Sequence, residues 1–127
     1  MSRDLLPVVR EITQPRINAY AEASGDHNPI HIDPTFAKAT PFGGTIAHGL
    51  LVLALIGEMM RGGFGEDWTN TGKLKVRFKA PTRPGDTITA SAALQRESGG
   101  TFEYAVQCAT QSGEVVIEGR ASVSVAE

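Results

Sequence analysis

A chain of 127 residues with 41% apolar residues and a net charge of -2 has room for one packed core, so a single domain over residues 1–127 is expected. The near balance of charge excludes a global basic field that would hold nucleic acid or an anionic membrane, and the lone Cys108 excludes an internal disulfide framework. The start, Met1-Ser2-Arg3-Asp4-Leu5-Leu6-Pro7, lacks the pattern of a secretory signal, and the longest apolar run, Leu50 to Ile56, is too short for a bilayer span, so a cytoplasmic protein without a membrane partner is expected.

Val8, Val9 and Ile12 suggest a first strand. Thr13 can cap a helix beginning near Pro15, with Ile17, Tyr20, Ala21 and Ser24 on one face and Gly25 as its left-handed stop. The polar loop that follows, Asp26 to Asp33, carries two apolar residues, Ile30 and Ile32, able to anchor it on a core. Asn28 is held extended by Pro29, and Asp33-Pro34 reads as a cap and first position for a short helix through Ala39. Next, Gly43-Gly44-Thr45-Ile46-Ala47-His48-Gly49-Leu50 leads into a helix expected over Ala47 to Met60, about 20 Å long and apolar nearly all round. Such a helix needs a sheet wrapped about it, and Arg61-Gly62-Gly63 would end it.

In the second half, apolar residues alternate cleanly with polar ones. Leu74, Val76 and Phe78 alternate with Lys73, Lys75, Arg77 and Lys79. Ile88 to Leu94, Phe102 to Cys108 and Val115 to Val125 repeat the period of two. Turns fall at Pro81 to Asp86, Ser98-Gly99-Gly100 and Ser112-Gly113. The reading is an α+β fold, an antiparallel meander packed on the central helix, with Cys108 as a small core residue.

All three histidines, His27, His31 and His48, lie in the two polar segments. A carboxylate at Asp26, an imidazole at His31 and the free N–H groups at the helix start are candidates for one site. His27 is expected to be exposed, and His48 to bond loop backbone. A metal is not expected, because the histidine spacing is not that of a helical zinc pair, Pro29 intervenes and no cysteine assists. The cations Lys75, Arg77 and Lys79 would either meet ligand phosphates or form a solvated strand face.

The run Tyr20-Ala21-Glu22-Ala23-Ser24-Gly25-Asp26-His27-Asn28-Pro29-Ile30-His31, followed by Ala47-His48-Gly49, resembles the hydratase motif of the MaoC-like, (R)-specific enoyl-CoA hydratases. The resemblance implies a hotdog fold, a curved antiparallel sheet around a long helix. It implies (R)-specific hydration of trans-2-enoyl-CoA or enoyl-ACP to the 3-hydroxyacyl thioester, reversible as dehydration. Asp26 and His31 would activate a water, the Gly49 N–H would bind the thioester carbonyl and Asn28 would brace the loop. Ala47, His48 and Gly57 would border the substrate, with Gly57 standing where some relatives carry serine. A homodimer is implied, with the acyl-CoA or acyl-ACP arm entering at the subunit interface and no metal or redox cofactor. Two other readings stand beside it: a hotdog thioesterase using Glu58, and a non-catalytic acyl-thioester-binding partner subunit.

Overall fold

The computed structural model describes residues 3–126. Strand β1 (Val8–Glu11) leads through Ile12 and the cap Thr13 into helix α1 (Gln14–Ser24), and the short helices α2 (Pro29–Ile32) and α3 (Pro34–Lys38) follow. The long helix α4 (Gly49–Phe64) is succeeded by α5 (Glu66–Thr71). Strands β2 (Lys73–Phe78), β3 (Thr87–Ser98), β4 (Thr101–Ala109) and β5 (Val115–Ser124) complete the order.

The sheet is antiparallel in the order β1-β3-β4-β5-β2. Its inward residues obey the alternation: Ile88 and Ala90 on β3, Phe102, Tyr104, Val106 and Cys108 on β4, and Ile117, Ala121 and Val123 on β5 are buried. They gather with Val52, Leu55, Ile56, Met59, Met60 and Phe64 of α4 into one apolar cluster. A helix laid across an antiparallel sheet in this way is the hotdog arrangement. Burial lifts the Cys108 thiol pKa to about 12, which leaves it a core residue and no nucleophile.

Four details depart from the sequence reading. Strands β3 to β5 form a meander, but β2 does not pair with β3; it crosses to the far edge beside β5, because the proline-containing segment after it spans the sheet end instead of closing a hairpin. Helix α4 starts two residues later than expected and runs past Gly62 and Gly63 to Phe64, stopping where Gly65 takes φ 57°. Packing overrides the weak helix propensity of that glycine pair: a side chain at Gly63 would collide with Leu5. Helix α5 was not anticipated; its signal was Glu66 and Asp67, acidic residues in a first turn. Finally, α4 is wrapped on one side only, since Leu50 is 60% exposed and Ala54 and Glu58 also face outward.

Gly119 lies opposite Val76 across the β2–β5 pair. A Cβ there would fall inside the contact distance of the Lys75 carbonyl oxygen and 2.7 Å from Val76 Cα, both backbone atoms that cannot swing aside. Gly119→Ala is therefore expected to destabilise the fold by about 2 kcal/mol, measured by urea denaturation. An unchanged midpoint would show that the two strands do not approach so closely.

Candidate active site

Helix α1 ends where Gly25, at φ 80°, donates its N–H to the Ala21 carbonyl at 2.9 Å. The chain then turns sharply, and Asp26 leads a ladder of side-chain caps. Its Oδ1 accepts from the Asn28 N–H at 3.2 Å, and Asn28 Oδ1 accepts from the Ile30 N–H at 3.1 Å. Asn28 thus caps a helical turn with Pro29 at its first position, where a missing N–H costs nothing. Where a loop was expected, His31 therefore sits on a short helix. Asp33 closes that turn and caps α3 by accepting from Thr35 and Phe36. The signal was present, since Asn28-Pro29 repeats the cap-proline logic of Asp33-Pro34.

The His31 ring spends one nitrogen on structure. Nδ1 lies 2.8 Å from the Ile46 carbonyl oxygen, and a carbonyl can only accept, so Nδ1 carries the proton. In the neutral ring Nε2 is then a bare lone pair, 4.0 Å from Asp26 Oδ2. The two side chains are 12% and 52% exposed respectively. Two acceptors at this spacing do not bond each other. A water donating one hydrogen to each, over legs of about 2.8 Å, would subtend about 91° at its oxygen and turn its lone pairs outward.

His48, 2% exposed, stands behind this pair. Its Nε2 lies 2.9 Å from the Asp26 carbonyl oxygen, so Nε2 is the protonated nitrogen. Its ring stacks on His31 with centroids 3.8 Å apart and planes 25° apart, and Tyr20 leans on it at 4.8 Å. Among the described residues Nδ1 of His48 has no partner. His27 is elsewhere: it is exposed and bonded to Glu22 at 3.0 Å, and that hydrogen bond raises its pKa.

Asp26, His31 and His48 can each offer a ligand atom within 4.8 Å of the others. Stacking, however, sets the two rings' in-plane lone pairs side by side, whereas a tetrahedral zinc site needs them to converge.

The helix start supplies the opposite polarity. Gly49 is the first residue of α4, so its N–H has no intrahelical acceptor and sits at the positive end of the helix dipole. Ala47, two residues before it, is fixed by donating its N–H to the Thr82 carbonyl at 2.7 Å. A Cβ at Gly49 would come within 2.8 Å of Phe78 Cε1, and Phe78, 54% exposed, shields that side. Beside Gly49 opens a cavity of about 320 Å³, with Phe42, Val52, Phe78 and Ile117 among its lining residues. Neither Phe78 nor Tyr20 had been singled out as a site residue; Phe78 was readable only as one more apolar position on its strand.

Lys79 borders this cavity and pairs with Glu118 at 3.2 Å. Lys75 and Arg77 do not: with Arg120 they line a cleft of about 820 Å³ on the other face of the sheet, as alternation with Leu74 and Val76 requires. Gly57 is half-buried in the third turn of α4, with open space where a side chain would project. Glu58 is engaged by Arg10 at 2.9 Å and lies about 14 Å along the axis from Gly49, so the carboxylate that a thioesterase reading needs is remote from the helix start.

Comparison with known proteins points to one family. The family model for the MaoC like domain matches residues 4–115. A 3-hydroxyacyl-thioester dehydratase Z of Mycobacterium tuberculosis is 39% identical over 117 residues, which cover 87% of this chain and 74% of that protein. An (R)-specific enoyl-CoA hydratase of Rhodospirillum rubrum is 35% identical over 126 residues, covering 93% and 83%. Among solved structures, the (R)-hydratase from A. caviae involved in PHA biosynthesis aligns with a TM-score of 0.83 at 27% identity, over 96% of this chain and 94% of the other.

Proposed function

Because the chain belongs to the MaoC-like domain family, we propose that Asp26, His31 and the Gly49 N–H are the working groups of its (R)-specific enoyl thioester hydration. The protein is a hydro-lyase, adding water to a trans-2-enoyl thioester to give the (R)-3-hydroxyacyl thioester, and reversing that step as a dehydratase. The observation that carries the residue assignment is the 4.0 Å gap between Asp26 Oδ2 and His31 Nε2, two acceptors facing each other across the span of one water.

In this reading the water, held through both hydrogens, attacks the β-carbon of the enoyl group. The π electrons move toward the thioester carbonyl, and the negative charge gathering on its oxygen is met by the Gly49 N–H at the dipole-positive helix end. The proton released to Asp26 or His31 is returned to the α-carbon, so the sum is one water added. No net electrons move, and the chemistry calls for no redox cofactor. One donor of the Gly49 kind is worth roughly 3 kcal/mol in the transition state.

The carrier is CoA or an acyl carrier protein, and the cavity beside Gly49 gives apolar room next to the carbonyl. We assign a homodimer to the working form: Leu50, Phe78 and Phe42 are large apolar residues left 60%, 54% and 39% exposed around the helix start, and a second copy would cover them. No helix among the described residues is long and apolar enough to cross a membrane. A cytoplasmic location is part of the same proposal and would be read by cell fractionation.

Asp26→Asn and His31→Ala should each lower turnover of crotonyl-CoA by about 10²–10⁴-fold with unchanged circular dichroism, followed through loss of the conjugated ultraviolet band. Near-native hydration by either variant would remove that residue from the mechanism. Gly49 is testable through proline, which suits a first helical position and lacks only the N–H; His48 is already extended at ψ 134°, as a residue before proline should be. Introduced together with Phe78→Ala to clear the ring, Gly49→Pro should cost about 10²–10³-fold in turnover relative to Phe78→Ala alone. Equal rates would dismiss the oxyanion role. Leu50→Glu should shift sedimentation from dimer toward monomer; a wild-type monomer at micromolar concentration would refute the assembly.

A further inference from the structure

The residues alone give His48 only a bond to loop backbone and the resemblance only a place beside the substrate, yet its surroundings carry two departures from ordinary stability. It is the N-cap residue of α4 and makes no side-chain cap bond, although a serine, threonine, aspartate or asparagine there would satisfy a free N–H. It is also buried with Nδ1 unpartnered among the described residues, an unmet polar atom that a phenyl ring of similar shape would avoid. Packing alone therefore does not account for an imidazole at this position.

What the imidazole adds is a donor aimed out of the helix and into the loop. Nε2–H reaches the carbonyl of Asp26, the residue whose carboxylate faces His31, while the ring face lies flat against the His31 ring. One rigid side chain, rooted in the helix start that also presents Gly49, thus touches both members of the acceptor pair. Tyr20 also meets this ring, tilted by 59° with centroids 4.8 Å apart.

We propose that His48 is a positioning residue for hydration: by bonding the Asp26 backbone and backing the His31 ring, it sets the distance between the two acceptors and their placement relative to the Gly49 N–H. The proposal rests on the assignment of Asp26 and His31 to the chemistry. His48 does not touch the reacting atoms. Losing it would loosen the Asp26 loop while leaving the helix dipole and the apolar cavity intact, so the effect falls on turnover and spares substrate binding.

The test compares His48→Phe, which keeps a flat ring but loses the donor, with His48→Gln, whose side-chain amide N–H extends as far as Nε2 does. His48→Phe should lower kcat for crotonyl-CoA about 10–100-fold, the scale of a misplacement of about 1 Å at a reacting group, with KM within about twofold. His48→Gln should recover most of that loss. Wild-type kcat in His48→Phe, or a His48→Gln enzyme no faster than His48→Phe, would overturn the proposal.

A measurement on the wild-type chain decides the matter even if a variant fails to fold. Imidazole nitrogen NMR should place the proton on Nε2 of His48 and on Nδ1 of His31. A bare Nε2 on His48 would remove the bond to Asp26 and the proposal with it. Full activity in Asp26→Asn and His31→Ala would instead sink the assignment of the acceptor pair, whereas loss of activity there alongside an unaffected His48→Phe would sink this inference alone.

Discussion

Two imidazole N–H groups, each given to a backbone carbonyl of the opposite segment, join the loop after α1 to the start of α4. His31 on the loop side donates to Ile46, and His48 on the helix side donates to Asp26. A third bond, from the Ile46 N–H to the Ile30 carbonyl at 3.2 Å, runs between the same two segments, whereas Ile30 and Ile32, expected to anchor the loop, stay only partly buried and outside the core cluster. Because carbonyls only accept, the two imidazole bonds decide which nitrogen of each ring is protonated. The orientation of the site, with Nε2 of His31 turned to the Asp26 carboxylate, is thus a consequence of how the backbone is tied.

The remainder of the fold supplies fixed ground for that joint. Helix α4 is bedded on the sheet through Val52, Leu55, Ile56 and Met59, which fixes the direction in which its first N–H groups point. The crossing segment after β2 then holds the approach to the helix: the Thr82 carbonyl takes the Ala47 N–H, and Asp86 Oδ2 accepts from the Arg83 N–H at 2.8 Å to keep that segment tight. These contacts follow from β2 lying at the far edge of the sheet. A hairpin between β2 and β3 would have left the helix start without its carbonyl partner at Thr82 and without the Phe78 ring over Gly49.

The readable parts of the sequence were those governed by local physics. Thr13 and Asp33 cap helices and Gly25 ends one at positive φ, because caps and left-handed glycines depend on neighbours a few residues away. The inward faces of β3, β4 and β5 followed from alternation in the same manner. Alternation also implied that Lys75 and Arg77 point away from the helix, although charge alone had made them candidates for the ligand. Strand order was not readable, since it turns on which edge a long connection reaches. Nor was the exposed side of α4, where Leu50 is as apolar as the buried Leu55. The motif singles out Asp26, His31 and Gly49 as candidates, but the stacking of His48 on His31 joins residues 17 positions apart and has no local signature.

The polarity of the site has a direction that matches the reaction. On one wall stand acceptors only, Asp26 Oδ2 and His31 Nε2; on the other stands a donor only, the first N–H of a helix. In the proposed mechanism, electron density that enters at the water and leaves at the carbonyl oxygen would cross from the first wall to the second, so both walls would be satisfied better as charge moves than before it has moved. This is the differential stabilisation that lowers a barrier. Asp26 is half-exposed in the free chain, and bulk water screens its field there. A thioester lying against Gly49, as proposed, would exclude that water, so that the same carboxylate would act across a poorer dielectric and the pull of the helix dipole on the oxyanion would strengthen with it. Covering the exposed apolar rim of Leu50 and Phe78 would deepen the same effect, which links the surface left bare around α4 to the chemistry at its first residue.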